Sequence, residues 1–170
     1  MTSTTRLTLR ILGIILGVAA CVTSSSVPPE IAQTIPSDAR AIRLYSDQAA
    51  ADFYRTVYQS VVARGFGIAQ ENQQMGTVST QAKDIGQETT LRLIVFVQDT
   101  VGGSMATLRG QWGLTAAMAA GLSAGFGANA AGGTADEAHW KGMGRPKAAF
   151  GELAVIANAI AHKRIQYLTR

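Results

Sequence analysis

The segment 89–98, TTLRLIVFVQ, limits what this 170-residue chain can fold into more than any other stretch. Side chains alternate along an extended backbone, so Leu91, Leu93, Val95 and Val97 face one way and Arg92, Ile94 and Phe96 the other. A row of four large apolar side chains has to be covered by a second layer, and a strand's N–H and C=O groups have to find neighbours. The turn at 99–103 contains glycine, and 105–112 returns with Leu108 and Trp112 on one side, which gives the strand a hairpin partner.

Helices to cover such a sheet are available. Over 47–64, Phe53, Val57 and Val61 recur every four positions, with Tyr54 and Tyr58 one place along. That spacing forms one face of an amphipathic helix. Ser46 or Asp47 is the expected N-cap and Gly65 the expected stop. A second stripe, Phe150, Leu153, Ala157, Ile160 and Arg164, widened by Ile156, follows Pro146 and predicts a helix to about Leu168. Residues 41–45 alternate weakly and form a short strand. The segment FGIAQENQQMGTVSTQAK reads as two polar-rich strands joined around 72–76, where Asn and Gly suit a turn. The expected fold is α+β: a two-layer sandwich in which a roughly four-stranded antiparallel meander packs against two helices, in a single domain over 41–170.

The N-terminus has a different character. Residues 1–10 are short, polar and carry Arg6 and Arg10; residues 11–20, ILGIILGVAA, are apolar and end in small side chains. This is the layout of a secretory signal, and the run is too short for the roughly 20 residues of a spanning helix. It ends in Val18-Ala19-Ala20-Cys21. This resembles the lipobox of bacterial lipoproteins, although Leu is commoner than Val at the first position. The resemblance implies a signal peptide over 1–20, diacylglycerol on the Cys21 sulfur, cleavage before Cys21 and acylation of the new amino terminus. Several acyl chains anchor durably where one does not. Val22 stands where Asp would favour inner-membrane retention, so the resemblance implies an outer-membrane address facing the periplasm. A non-lipidated signal or an uncleaved anchor is the alternative. Residues 21–40 hold Ser, Thr and three prolines, Pro28, Pro29 and Pro36, and are expected to form a flexible tether.

Residues 113–133, GLTAAMAAGLSAGFGANAAGG, are an uncharged Ala/Gly-rich insertion without a clean period. Two readings stand: a loop or short packed helices, or a segment contacting a membrane or a partner. About 21 residues as a helix would cross the hydrocarbon, and Gly121 and Gly125 have the small-xxx-small spacing of close helix pairs.

Composition narrows the function classes. Cys21 is the one cysteine, so no disulfide can form within the chain and no cysteine zinc site can be built. Of 15 Lys/Arg, Arg6 and Arg10 precede Cys21, which leaves 13 against 11 Asp/Glu. These cations are scattered except for Arg145 with Lys147 and Lys163 with Arg164, so no nucleic-acid partner is expected. GFGANAAGG lacks the Lys-Ser/Thr ending of a phosphate loop. His139 and His162 have no ligand partners at metal-like spacing, although Asp136 and Glu137 lie close to His139. The carboxylates Asp47, Asp52, Asp84, Glu88 and Asp99 fall on different elements. Neither catalysis, nor a cofactor, nor a metal is expected.

The helix and meander of 47–112, with GFGIAQENQQMGTVSTQA between them, are similar in layout to small Gram-negative envelope lipoproteins, such as the helix-on-sheet modules of the lipoprotein C subunit of the β-barrel assembly machine. The similarity covers under half of the chain and carries over no residue besides Cys21. The leading expectation is a non-catalytic envelope lipoprotein, anchored by lipid, that binds a protein partner through a sheet edge or the Ala/Gly segment. The alternative is a binding module for a lipid or other hydrophobic ligand, held in a pocket lined by Phe53, Val57, Phe96 and Ile160.

Overall fold

The computed structural model describes residues 27–126 and 135–169. Its elements run α1 (Pro29–Ala32), β1 (Ala41–Ser46), α2 (Ala50–Ala63), β2 (Ile68–Asn72), β3 (Thr77–Thr80), β4 (Lys83–Asp84), β5 (Thr89–Thr100), β6 (Gly103–Leu114), α3 (Ala116–Phe126), β7 (Asp136–Glu137), α4 (Arg145–Ala159) and β8 (Arg164–Leu168). Six strands form one antiparallel sheet in the order β2-β3-β5-β6-β1-β8; the two-residue strands β4 and β7 pair with β5 and β6. The two main helices, α2 and α4, cover one face, so the fold is α+β.

The alternation in 89–98 sets the faces. Leu91, Leu93, Val95 and Val97 are buried, while Arg92, Ile94 and Phe96 are exposed. Register carries the buried side across neighbouring strands: Val78 lies opposite Val95, Val95 opposite Leu108, Leu108 opposite Ile42, and Ile42 opposite Tyr167. Against these rows pack Phe53, Tyr54, Val57 and Val61 of α2 and Phe150, Leu153 and Ile156 of α4. The β5–β6 hairpin turns at Gly102 and Gly103. Gly103 has φ +149°, and a Cβ there would overlap the Ser46 carbonyl oxygen, so close approach and backbone conformation both demand glycine.

Helix α2 ends as its sequence indicates. Gly65, at φ +78°, donates its N–H to the Val62 carbonyl, and Phe66 donates to Val61, the paired bonds of a Schellman motif. Its start differs from expectation. Neither Ser46 nor Asp47 caps it; the Ala50 N–H donates to Asp99 Oδ1 at 3.3 Å, so the acceptor comes from β5. Ser46 Oγ accepts from Gln48 N instead.

Three further expectations are corrected. The meander of β2, β3, β5 and β6 is present, but the sheet is larger, because β1 and β8 extend it beyond β6. The last helix stops at Ala159, after which Ile160 is extended (φ −77°, ψ 130°), and Arg164–Leu168 form β8. Ile165 and Tyr167 lie opposite Leu44 and Ile42, so β1's unpaired side captures a segment whose stripe also fits a helix. The chain also folds well before residue 41. Ile35 and Ala39 are buried, and Asp38 and Ala39 exchange backbone hydrogen bonds with Trp140. Pro28 and Pro29, placed in the expected tether, start α1 instead: Pro29 takes its first turn, where a missing N–H costs nothing.

Candidate functional site

Cys21 and the 1–20 segment lie outside the described residues. What the structure fixes is where folding begins downstream of them. Val27 is half-buried, and its Cγ2 occupies the space that a Cβ on Gly151 of α4 would fill. Val27 and Ile31 pack on the core, and Ile35 is part of it. Only the positions between Cys21 and Val27 separate the cysteine from packed protein, a reach of at most about 20 Å at ~3.5 Å per residue. The tether expected over 21–40 therefore does not extend over 27–40, where the chain is folded.

The Ala/Gly insertion divides into parts. Leu114 ends β6, α3 spans Ala116–Phe126, and residues 127–134 lie outside the described residues. At 1.5 Å per residue α3 is roughly 16 Å long, about half of a hydrocarbon core. Among the described residues no helix is long and apolar enough to cross a membrane. Gly121 is exposed, and a Cβ on it would meet nothing within 4 Å.

The candidate chemical groups are dispersed. Asp47 pairs with Lys163 at 3.0 Å, Asp52 with Arg55 at 2.7 Å and Glu88 with Arg145 at 3.4 Å. Asp84 accepts from Gly86 N, and Asp99 from Ala50 N. The His139 N–H donates to the Pro146 carbonyl, while its Nδ1 is buried without a hydrogen-bond partner among the described residues. His162 lies beyond the end of α4 rather than on its last turn, and its Nδ1 sits 2.7 Å from the Ile160 carbonyl, which assigns the donor proton to Nδ1. Among the described residues no three His, Cys, Asp or Glu side chains are grouped to hold a metal ion.

The tyrosines also separate. Tyr54 and Tyr58 stack on α2 with ring centroids 6.3 Å apart, and Tyr54 donates its hydroxyl to the Thr77 carbonyl. Burial raises the Tyr54 phenol above its usual 10.0, and the Glu71 carboxylate and Tyr58 push the same way. Tyr45 faces the other side of the sheet, beneath the Arg164 guanidinium.

The four side chains expected to line an apolar pocket do not meet. Phe53, Val57 and Ile160 are buried within the core, whereas Phe96 projects from the opposite face of the sheet. The recorded cavities are surface clefts. One of about 360 Å³ lies between the start of α2, the β2–β3 turn and the end of β5, with Tyr54, Met75 and Phe96 in its wall. Another of about 470 Å³ lies beside the β5–β6 turn, with Tyr45, Val101 and Lys163 in its wall.

The open face of the sheet is a candidate surface that the sequence did not single out. Ile94 is 39% exposed and Phe96 40%, side by side on β5, with Thr107 of β6 opposite Phe96. The outward places of Arg92, Ile94 and Phe96 were readable from the period of two; the side chains beside them on β6, β1 and β8 depend on strand order and register. No family model matches this chain, and no curated protein does.

Proposed function

We propose that this chain is a non-catalytic lipoprotein of the bacterial envelope, anchored through acyl chains on Cys21, and that its folded part binds a protein partner. The observation that carries the proposal is Val18-Ala19-Ala20-Cys21 at the end of a short apolar run, so close before Val27 takes its place on α4. A cysteine there joins a membrane anchor to a folded module with little chain between them. Val22 after the cysteine favours the outer membrane, facing the periplasm, by resemblance to lipoprotein sorting. The protein-binding half draws support from the open sheet face, where aliphatic and aromatic side chains stand in solvent. Large exposed apolar side chains grouped on one face mark contact sites more often than isolated ones do. The ligand-pocket alternative draws less support, since Phe53, Val57 and Ile160 fill the space between helices and sheet.

Intact mass and membrane fractionation of the native chain beside Cys21→Ala test the anchor. The expected result is an acylated mass starting at Cys21 and membrane residence, both lost in the variant. A variant that keeps its N-terminus and stays in the membrane would instead show that residues before Cys21, or the Ala/Gly segment, insert.

A further inference from the structure

Strand register on the open face places one arginine on each of four adjacent strands. Arg92 of β5 lies opposite Gln111 of β6. One rung along, Arg109 of β6 lies opposite Ile94 on one side and Ala41 on the other. One rung further, Arg43 of β1 lies between Thr107 and Gln166. At the next rung, Arg164 of β8 lies opposite Tyr45. Each step moves one strand across and two residues along, so the four arginines form a diagonal stripe. With strands about 4.8 Å apart and about 3.4 Å per residue, neighbouring Cα atoms on the stripe are roughly 8 Å apart and its ends roughly 25 Å.

Little on this face neutralises the stripe. Glu137, opposite Gln111, forms a 3.2 Å ion pair with Arg40 and reaches Arg109 only at 3.9 Å. Asp84, opposite Thr90 at the edge, is turned to the Gly86 N–H. Among the described residues Arg43, Arg92 and Arg164 have no carboxylate within ion-pair distance. Two of them are already held in place: Arg92 Nε donates to the Thr80 carbonyl at 3.0 Å, and the Arg164 guanidinium lies 3.9 Å from the Tyr45 ring centroid. Arg43 Nε is buried without a hydrogen-bond partner among the described residues. Fixed guanidinium groups lose little freedom on pairing, and each can take a carboxylate through two parallel hydrogen bonds. Ile94 and Phe96 lie beside the stripe, exposed as described above.

We infer that the stripe is the docking site for an extended acidic segment of a partner protein. The segment crosses β5, β6, β1 and β8, sets carboxylates against the arginines and lays apolar side chains on Ile94 and Phe96. Charge complementarity fixes the acidic character. Arginine rather than lysine at all four places, next to an exposed aromatic, fits a protein interface, where arginine and aromatic side chains are enriched. In an extended segment, side chains on one face repeat about every 6.8 Å, close to the step of the stripe. The inference rests on the protein-binding half of the proposed function and is independent of the anchor.

The test uses full-length chain carrying Cys21→Ala and a fluorescent ten-residue peptide with Glu at four of its five odd positions, Leu at the fifth and Thr at the even ones, so that carboxylates and the apolar side chain share one face. A peptide with Gln for every Glu is the control. Anisotropy is measured at low and high salt. Binding of the Glu peptide is expected, weakened by salt and reduced on the order of 10-fold or more in the triple variant R43Q/R92Q/R164Q. Arg55→Gln on α2 should leave it within about 2-fold, since Arg55 lies outside the interface. F96S should weaken binding of the Glu peptide without changing its salt dependence. Circular dichroism of each variant establishes that it is folded. Equal binding of the Glu and Gln peptides, or undiminished binding by the folded triple variant, would overturn the inference. So would stripe-dependent binding of phosphatidylglycerol vesicles or of a single-stranded oligonucleotide without binding of the Glu peptide. If the peptide fails while crosslinking in cells captures a protein on the open face of native chain but not of F96S, protein binding stands and the acidic stripe falls. Loss of acylation in the fractionation experiment leaves the peptide result untouched.

Discussion

The two faces of β5 are made by adjacent residues of one strand and do opposite work. On the covered face, Leu91, Leu93, Val95 and Val97 are buried under α2 and α4. On the open face, Arg92, Ile94 and Phe96 stand in solvent. The covered face is apolar at these four places, with buried Thr89 at its start, as an interior held together by area and shape requires. The open face mixes cations and amides with the neighbouring apolar pair Ile94 and Phe96, a composition that adds little to folding stability. The support of the fold and the proposed recognition surface thus lie on opposite sides of a single sheet, and substitutions on one side should leave the other largely untouched.

The strongest test of that separation compares neighbours. Leu93→Ala removes a fully buried side chain and should cost about 2–5 kcal/mol in urea unfolding. Ile94→Ala, one residue along, should change stability by less than about 1 kcal/mol. Equal losses would mean that the open face is part of the fold's support. Next in size is Gly103→Ala, where the added Cβ meets the Ser46 carbonyl oxygen and φ is +149°. A loss of about 1–3 kcal/mol by the same measurement is expected, because the hairpin must shift away from β1. The smallest effect belongs to Tyr54. Its phenol is raised by burial above 10.0, so at alkaline pH the unfolded chain ionises first while the folded chain keeps the proton. The contribution is complete below pH 10 and is lost as pH rises from there through the higher folded value. Tyr54→Phe should flatten the alkaline limb of a stability–pH profile; an unchanged limb would assign that loss to other groups.

The parts of the fold set by local period were legible in the sequence. The alternation of 89–98 predicted both faces of β5, and Gly65 marked the end of α2. The parts settled by distant partners were not. Residues 164–168 satisfy a helical stripe through Arg164 and a strand alternation through Ile165 and Tyr167 equally well; the free side of β1, far away in sequence, decides for the strand. The segment 27–35 did carry a signal, since Val27, Ile31 and Ile35 recur every four positions, but Pro28 and Pro29 within it and the serine run just before it masked it. The motif that ends in Cys21 was visible because it is local. The arginine stripe was not, because its members come from four strands and meet only once order and register are set.

The position of β1 has a consequence for the order of folding. It is the earliest strand of the sheet, yet its two neighbours are β6 and β8, with Ala41 beside Arg109 and Leu168. The β5–β6 hairpin needs only a short loop to close and can assemble quickly, whereas β1 must wait for pairings across most of the chain. Until they form, Ile42 and Leu44, fully buried at the end, are exposed on a strand with two open edges. For a chain exported as proposed above, that delay would have a use: a late-closing sheet stays threadable, and the same delay makes β1 the segment most in need of protection on the way.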